Sequence, residues 1–145
     1  MFKKVLLLAS AGLMVMGSAA AAEKVKIGFV TTITTPAGVI GRDMVDAVNL
    51  AMEDIGGKMA GRDVELIIED DGFKPAIGKQ KTDKLVKQDK VQFVTGFIWS
   101  HVLLASQKSA LGAGKFLISS NAGPSQMAGK LCHKNFFSTS WQNDQ

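Results

Sequence analysis

Hydroxyl-bearing and very small residues are concentrated in three short segments, each of which follows an apolar run. The segments are 34–38 (TTPAG), 97–101 (FIWSH) and 121–125 (NAGPS). Serine hydroxyls and free main-chain N–H groups donate hydrogen bonds, and a helix that begins beside them adds the positive end of its dipole. This combination of donors is suited to binding a carboxylate.

Each candidate residue also has a purely structural interpretation. Ser100 is predicted at the N-cap of a helix, where its hydroxyl either caps the helix or donates to a ligand oxygen. Ala122 and Gly123 would let a ligand approach their backbone, but an ordinary Gly-Pro turn explains them equally well. Trp99 either forms a wall for an apolar or aromatic ligand or packs in the core. His101 is interpreted as a rim residue, because adjacent helical residues face different directions.

No motif of an enzyme or of a metal site accompanies these residues. The segment that ends at Ser100 lacks the G-x-S-x-G pattern of a nucleophile elbow, and no glycine-rich phosphate or dinucleotide loop is present. The two histidines, His101 and His133, are too isolated to suggest zinc. We therefore predict no catalysis, no cofactor and no metal. Asp70-Asp71 is interpreted as a turn that lies away from the proposed site.

Strands and helices alternate after residue 24, which indicates an α/β fold. Apolar runs predict five strands, at 25–30, 62–69, 91–96, 116–119 and 135–138. Helical periodicity and turn signals predict three helices, at 39–55, 75–88 and 100–112. Repeated units of this kind form an open parallel sheet with helices on both faces.

The topology predicts where a ligand would bind. In an open parallel sheet, ligands bind beyond the carboxyl ends of the strands, where the strand order reverses. The order 2-1-3-4-5 would bring the three segments together at that point. No helix follows the fifth strand, so part of the sheet should lack cover. We interpret the chain as a fragment of a longer protein, with a small five-stranded domain as the alternative.

The first 22 residues have the pattern of a cleaved export signal. Lys3 and Lys4 precede an apolar stretch at 5–15, and Ala20 and Ala22 provide an A-x-A cleavage site. The stretch is shorter than the about 20 apolar residues that span a bilayer. An uncleaved membrane anchor is the alternative.

Charge and cysteine content restrict the partners. The formal net charge is +4, of which Lys3 and Lys4 supply two, and no basic run contains interleaved aromatics, so we predict no nucleic-acid binding. Cys132 is the only cysteine. It is either a free thiol, a bridge to something outside the chain, or a small buried residue.

Several motifs, each weak alone, resemble one family through their order and spacing. They are KVKIGFV at 24–30, DAVNLA at 46–51, AGR at 60–62 and a strand that ends in EDD at 69–71. Together they resemble the start of the periplasmic leucine/isoleucine/valine-binding proteins that serve ABC transporters. GFIWSH at 96–101 and ISSNAGPS at 118–125 are most similar to the branch that binds aromatic and other carboxylic acids.

The resemblance implies two similar lobes joined by a hinge, the first of which grips the ligand carboxylate. It implies contacts from Ser100 and from the backbone of Ala122 and Gly123, and it places Gln142 where the chain would cross to the second lobe. The full set of predicted ligand contacts is Ile40, Trp99, Ser100, His101, Asn121, Ala122, Gly123, Ser125 and Gln142.

Two departures from the amino-acid binders weaken the specific case for leucine. Those proteins often have a cysteine in the turn after the second strand and another before the serine of the third loop. Phe73 and Trp99 occupy these positions here, so that bridge is absent. Their first ligand loop often carries an aromatic residue, whereas Val39 and Ile40 lie in the matching region and leave room for a bulkier ligand.

The sequence thus predicts a periplasmic solute-binding protein without catalysis. It would capture an aromatic acid, a branched-chain amino acid or another amino acid, and deliver it as a monomer to the membrane permease of an ABC importer. The predicted divisions are a signal at 1–22, a first lobe at 23–140 and the start of a hinge at 141–145. The alternatives are a sensory ectodomain of the same fold and an exported serine hydrolase that uses Ser100 and His101.

Overall fold

Strands and helices alternate along the chain as their apolar runs predict. The computed structural model describes residues 23–144, so the predicted export signal lies outside the described part. The helices are α1 (Val39–Asp54), α2 (Pro75–Lys87) and α3 (Ser100–Leu111). The strands are β1 (Val25–Thr31), β2 (Lys58–Met59), β3 (Arg62–Asp70), β4 (Phe93–Gly96), β5 (Phe116–Ser119) and β6 (Phe136–Ser138).

The six strands form one sheet in the order β2-β3-β1-β4-β5-β6. Five of them run parallel, in the predicted order, and α/β architecture with a mainly parallel sheet is confirmed. The unpredicted strand is β2, which pairs antiparallel with β3 through Lys58 and Asp63. The reversal between them uses Ala60 and Gly61, both with positive φ (49° and 76°), as in the two-residue turns that commonly join antiparallel strands.

The core lies between the sheet and the face covered by α2 and α3. Its fully buried apolar side chains come from both helices and from three parallel strands: Val30, Leu85, Val94, Val102, Leu103 and Leu117. Gly78 allows the helices to approach closely, because a methyl group there would overlap Val102. This packing fixes α3, whose first residues lead into the proposed site.

The opposite face of the sheet is sparsely covered. α1 buries only Gly41, and its apolar Leu50 remains 59% exposed. Phe93 stacks on Phe116 with 5.6 Å between ring centroids, and Phe116 lies 6.2 Å from Phe137, which is half exposed. A row of phenylalanines with this exposure agrees with the expectation that part of the sheet lacks cover.

Two smaller findings complete the description. Cys132 is exposed, so its interpretation as a buried small residue was wrong. Within residues 23–144, no helix is both long enough and apolar enough to cross a membrane.

Candidate ligand-binding site

The loops after β4 and β5 lie side by side at the carboxyl edge of the sheet. The N–H of Ala122 donates to the carbonyl of Phe97 at 2.9 Å. The Asn121 Nδ2 donates to the carbonyl of Ile98 at 3.0 Å. The structure therefore brings together the serine-containing and glycine-containing segments that the topology predicted would meet.

A left-handed turn at the end of β4 aims its loop towards α3. Gly96 and Phe97 have φ values of 99° and 62°. A side chain at Gly96 would overlap the carbonyl of Val30, and the N–H of Phe97 donates to that same carbonyl at 2.6 Å. Positive φ at a non-glycine residue costs on the order of 1–3 kcal/mol and is retained where the surrounding packing enforces it. Here the Phe97 ring is fully buried, which anchors the turn.

Ser100 does not cap α3 as predicted. The N-cap is Trp99, with extended backbone and no capping side chain, and Ser100 is the first helical residue. Its hydroxyl oxygen accepts a hydrogen bond from Asn143 Nδ2 at 3.0 Å, which leaves its own proton available for a ligand. In the described part of the chain, the main-chain N–H groups of Ser100 and His101 have no acceptor. These are the unsatisfied donors that a helix start offers to an anion.

The two predicted backbone donors of the next loop differ in what they can offer. The N–H of Ala122 is already bonded to Phe97, so it cannot donate to a ligand in this conformation. Among residues 23–144, the N–H of Gly123 makes no hydrogen bond to a main-chain carbonyl. Its carbonyl accepts from the N–H of Asn143 at 2.7 Å. Asn143 thus forms hydrogen bonds with both Gly123 and Ser100.

Gly123 is also needed for chain packing. A side chain there would overlap the carbonyl oxygen of Trp141, and it would lie 3.1 Å from the Cα of Gln142. Close approach of another backbone, rather than of a ligand alone, therefore explains this glycine. A cavity of about 280 Å³ lies beside it, and its walls include Pro124, Met127 and Gln142.

The remaining predicted ligand contacts are Ser125, His101 and Ile40, which differ in exposure and in what they pack against. Ser125 begins a short 3-10 turn and is half-buried. His101 is exposed, and its ring stands edge-on to Phe73 with 5.1 Å between centroids. Ile40, at the start of α1, is 46% exposed, and no hydrogen bond in the described part of the chain joins it to Ser100 or Gly123.

Trp99 combines the two roles that its sequence position left open. It is half-buried and packs against the core, and its Nε1 donates to the hydroxyl of Thr32 at 3.0 Å. Its ring meets Phe73 edge-on at 4.8 Å. Phe73 and Trp99 occupy the positions where the amino-acid binders often have a cysteine pair, and here an aromatic contact joins these two positions.

Asp70 and Asp71 do lead into a turn, closed by the N–H of Lys74 donating to the carbonyl of Asp71 at 3.0 Å, but the prediction that they lie away from the site was wrong. Asp71 Oδ1 accepts from Thr32 Oγ1 at 2.5 Å, and Thr32 in turn is bonded to Trp99. Asp70 accepts from Thr34 Oγ1 at 2.5 Å and from the N–H of Ile33 at 2.9 Å. Because β3 is parallel to β1, both strands end at the same edge, and the acids reach the first loop.

The two acids are in different electrostatic environments. Burial alone would raise the pKa of Asp70, but hydrogen bonds from Thr34 and from the N–H groups of Gly72 and Ile33 hold its pKa below the ordinary value. Burial raises the pKa of Asp71 above the ordinary value, and its hydrogen bonds from Thr32 and Phe73 only partly offset this. Asp70 is thus favoured as the anion, whereas Asp71 is held towards its neutral form.

Comparison with known proteins identifies the family. A family model described as periplasmic binding protein matches residues 24–145. The chain belongs to the periplasmic binding protein family. Among proteins of curated function, none matches this sequence.

Solved structures of this family share the fold. A substrate-binding protein of an ABC transporter from Sphaerobacter thermophilus is 30% identical, with a TM-score of 0.80, and the match covers 85% of this chain and 34% of that one. A Rhodopseudomonas palustris solute-binding protein in complex with benzoate is 27% identical, with a TM-score of 0.78 and coverage of 83% and 34%. LivJ from Streptococcus pneumoniae, in complex with isoleucine, is 26% identical, with a TM-score of 0.76 and coverage of 83% and 34%. The chain therefore spans about a third of the length of these relatives.

The matched members of the periplasmic binding protein family are substrate-binding proteins of ABC transporters. In residues 23–144, no hydrogen bond joins Ser100 to His101, whose ring packs against Phe73 instead. No group of three or more His, Cys, Asp or Glu side chains in that range could hold a metal ion.

Sequence reasoning missed three residues that shape this site: Thr32, Asp71 and Asn143. The Thr-rich first loop and the paired acids were visible as motifs, but their partners depend on which strands are neighbours. Asn143 carries no local signal, because its contacts with Ser100 and Gly123 span 43 and 20 residues of sequence respectively.

Proposed function

We propose that this chain is the lobe that binds the ligand carboxylate in a solute-binding protein, and that this protein captures a small carboxylate and delivers it to an ABC importer. The observation that carries the proposal is the set of unpaired donors at the start of α3. The N–H groups of Ser100 and His101 and the Ser100 hydroxyl proton lie together, and Asn143 holds the Gly123 turn beside them.

These donors match the chemistry of a carboxylate. Hydrogen bonds from neutral N–H and O–H groups to an ionised acceptor are about twice as strong as neutral ones. The dipole of α3 adds a partial positive charge at its first turn. A carboxylate in this position would satisfy donors that are otherwise left without protein partners.

The ligand proposed is an aromatic acid or a branched-chain or other amino acid. One relative holds benzoate and another holds isoleucine, and a carboxylate is the group that these two ligands share. The half-buried Trp99 ring, beside Ser100, would supply an apolar surface for the rest of such a ligand.

We infer that the lobe is completed by a second lobe in a longer protein. The chain spans 34% of the length of its relatives. On the side of the sheet where α1 lies, apolar side chains such as Leu50 of α1 and Phe137 of β6 are exposed. Closure of two lobes would remove apolar ligand surface from water, at about 25 cal/mol per Å². Residues 141–145 would begin the crossing, residues 1–22 would direct export, and the chain alone would bind weakly. The protein would act as a monomer, without nucleic acid and without a catalytic step.

Calorimetry with matched acids and amides tests this proposal. The product of the complete reading frame is titrated with benzoate, benzamide, isoleucine and isoleucinamide. Loss of two charge-assisted hydrogen bonds should weaken binding about 100-fold, so one acid should bind at least that much more tightly than its amide. Equal affinity for an acid and its amide, or no binding of any acid, would contradict the proposal. A reading frame that ends at Gln145 would refute the two-lobe part separately.

A further inference from the structure

A chain of hydrogen bonds runs from the candidate site to a buried carboxyl group. Trp99 Nε1 donates to Thr32 Oγ1 at 3.0 Å, and Thr32 Oγ1 donates to Asp71 Oδ1 at 2.5 Å. The three residues follow β4, β1 and β3 respectively. We call this chain the Trp99 relay. It joins the ends of three parallel strands that are central to the sheet.

The inner members of the Trp99 relay are completely buried. Thr32 and Asp71 both have 0% exposure, and the same Asp71 oxygen also accepts from the N–H of Phe73 at 2.8 Å. Asp71 Oδ2 is buried and has no hydrogen-bond partner in the described part of the chain. Burying a carboxyl group with one oxygen left without a hydrogen bond costs free energy.

The outer member of the relay lies at the start of α3. Trp99 is the N-cap of α3, and its carbonyl accepts from the N–H groups of Val102 and Leu103 at 3.1 and 3.0 Å. The Phe73 ring also packs against the indole, nearly perpendicular to it, with 4.8 Å between centroids. Because the indole and the helix start belong to one residue, fixing the indole also restricts the next residue, Ser100.

We propose that Thr32 and Asp71 are positioning residues that fix Trp99, and through it the ligand-binding donors of Ser100 and His101. The inference rests on the proposed function and names residues that act at the same site without touching the ligand. Thr32 is the central member, since it is both the acceptor for Trp99 and the donor to Asp71. A methyl group in place of its hydroxyl would break both bonds.

The neighbouring Thr34–Asp70 pair offers a matched control. Thr34 Oγ1 also donates to an aspartate at 2.5 Å, in the same loop, but Thr34 is exposed and no hydrogen bond links it to Trp99. Thr34→Val therefore removes the same type of bond and leaves the relay intact. Thr32→Ser keeps the hydroxyl and serves as the conservative rescue.

The experiment uses two readouts on the complete protein, in which the indole resonance of Trp99 is assigned by its absence from the spectrum of a Trp99→Phe variant. The first is the indole N–H resonance of Trp99 in ¹H–¹⁵N spectra, and the second is the affinity of the complete protein for benzoate and isoleucine. Thr32→Val should shift the indole resonance and speed its solvent exchange about three- to tenfold, since one neutral hydrogen bond is lost. Ligand affinity should fall by a similar factor. Thr32→Ser should restore both, and Thr34→Val should change neither.

The outcomes separate this inference from the proposed function. An unchanged indole resonance in Thr32→Val would refute the relay. A shifted resonance with unchanged affinity would refute the positioning role and leave the carboxylate site standing. If the unsubstituted protein binds no acid, the proposed function and the positioning role both fail, and the indole resonance still shows whether the relay forms. Thr32→Ala, which adds no bulk, replaces Thr32→Val if that variant does not fold, with the same expected results.

Discussion

Replacing Gly123 with alanine is expected to abolish tight ligand binding. The added methyl group would overlap the carbonyl oxygen of Trp141 and lie 2.9 Å from its carbonyl carbon. Backbone cannot yield as a flexible side chain can, so the segment that contains Asn143 must move. That movement would break the bonds from Asn143 to Gly123 and to Ser100. We expect an affinity loss of about 100-fold or more, because positioned donors lose their geometry together.

Gly129→Ala is the control for this substitution. Its added methyl group would meet nothing closer than 3.8 Å, and Gly129 is exposed. Calorimetry with benzoate and isoleucine on both variants of the complete protein, together with their thermal unfolding midpoints, measures the effect. Wild-type affinity in a folded Gly123→Ala protein would show that the segment from Trp141 to Asn143 has no part in the site.

Ser100→Ala is expected to lower the affinity for a carboxylate about 10- to 100-fold, since a hydrogen bond to a charged group contributes roughly 1.5–3 kcal/mol. The hydroxyl accepts from Asn143, so its proton is directed elsewhere, and α3 does not need it as a cap. The overall fold should therefore remain, and the loss of affinity should include both the ligand hydrogen bond and the acceptor that Asn143 Nδ2 loses. Fluorescence or calorimetric titration with benzoate and isoleucine measures it.

Ser109→Ala provides the comparison, because Ser109 lies near the other end of α3. It should bind acids as the unsubstituted protein does. If Ser100→Ala binds with full affinity, the hydroxyl is not a ligand contact. If both serine variants lose affinity equally, the loss reflects α3 as a whole rather than the site.

The architecture could be predicted from the sequence because its signals are local. Phe116–Ser119 was predicted with its correct bounds, and Pro75 was correctly placed in the first turn of α2. Apolar runs and turn residues report on secondary structure directly, and the right-handed connection of parallel strands then leaves few orders to consider. The strand β2 was missed because its two residues carry no such pattern and pair only through the fold.

The site was only partly predictable, for a reason that applies to each of its residues. The meeting of the loops after β4 and β5 follows from strand order, which the sequence indicated. Strand order does not show which N–H groups remain free to bind a ligand, because that depends on how the loops pack against each other. The N–H of Ala122 is taken by Phe97, and Ser100 lies one position inside α3 rather than at its cap. Asp71 likewise reaches Thr32 only because β3 lies beside β1.

A titration of the ¹⁵N-labelled protein with benzoate and isoleucine tests the central claim most directly. We predict that the main-chain N–H resonances of Ser100, His101 and Gly123 move together with one dissociation constant. The resonance of Ala122, whose donor is already bonded, and that of Ala76 in the first turn of α2 should hardly move. Ala76 controls for unspecific attraction of anions to helix starts. Stationary Ser100, His101 and Gly123 resonances at saturating ligand, or equal shifts at Ala76, would contradict the account.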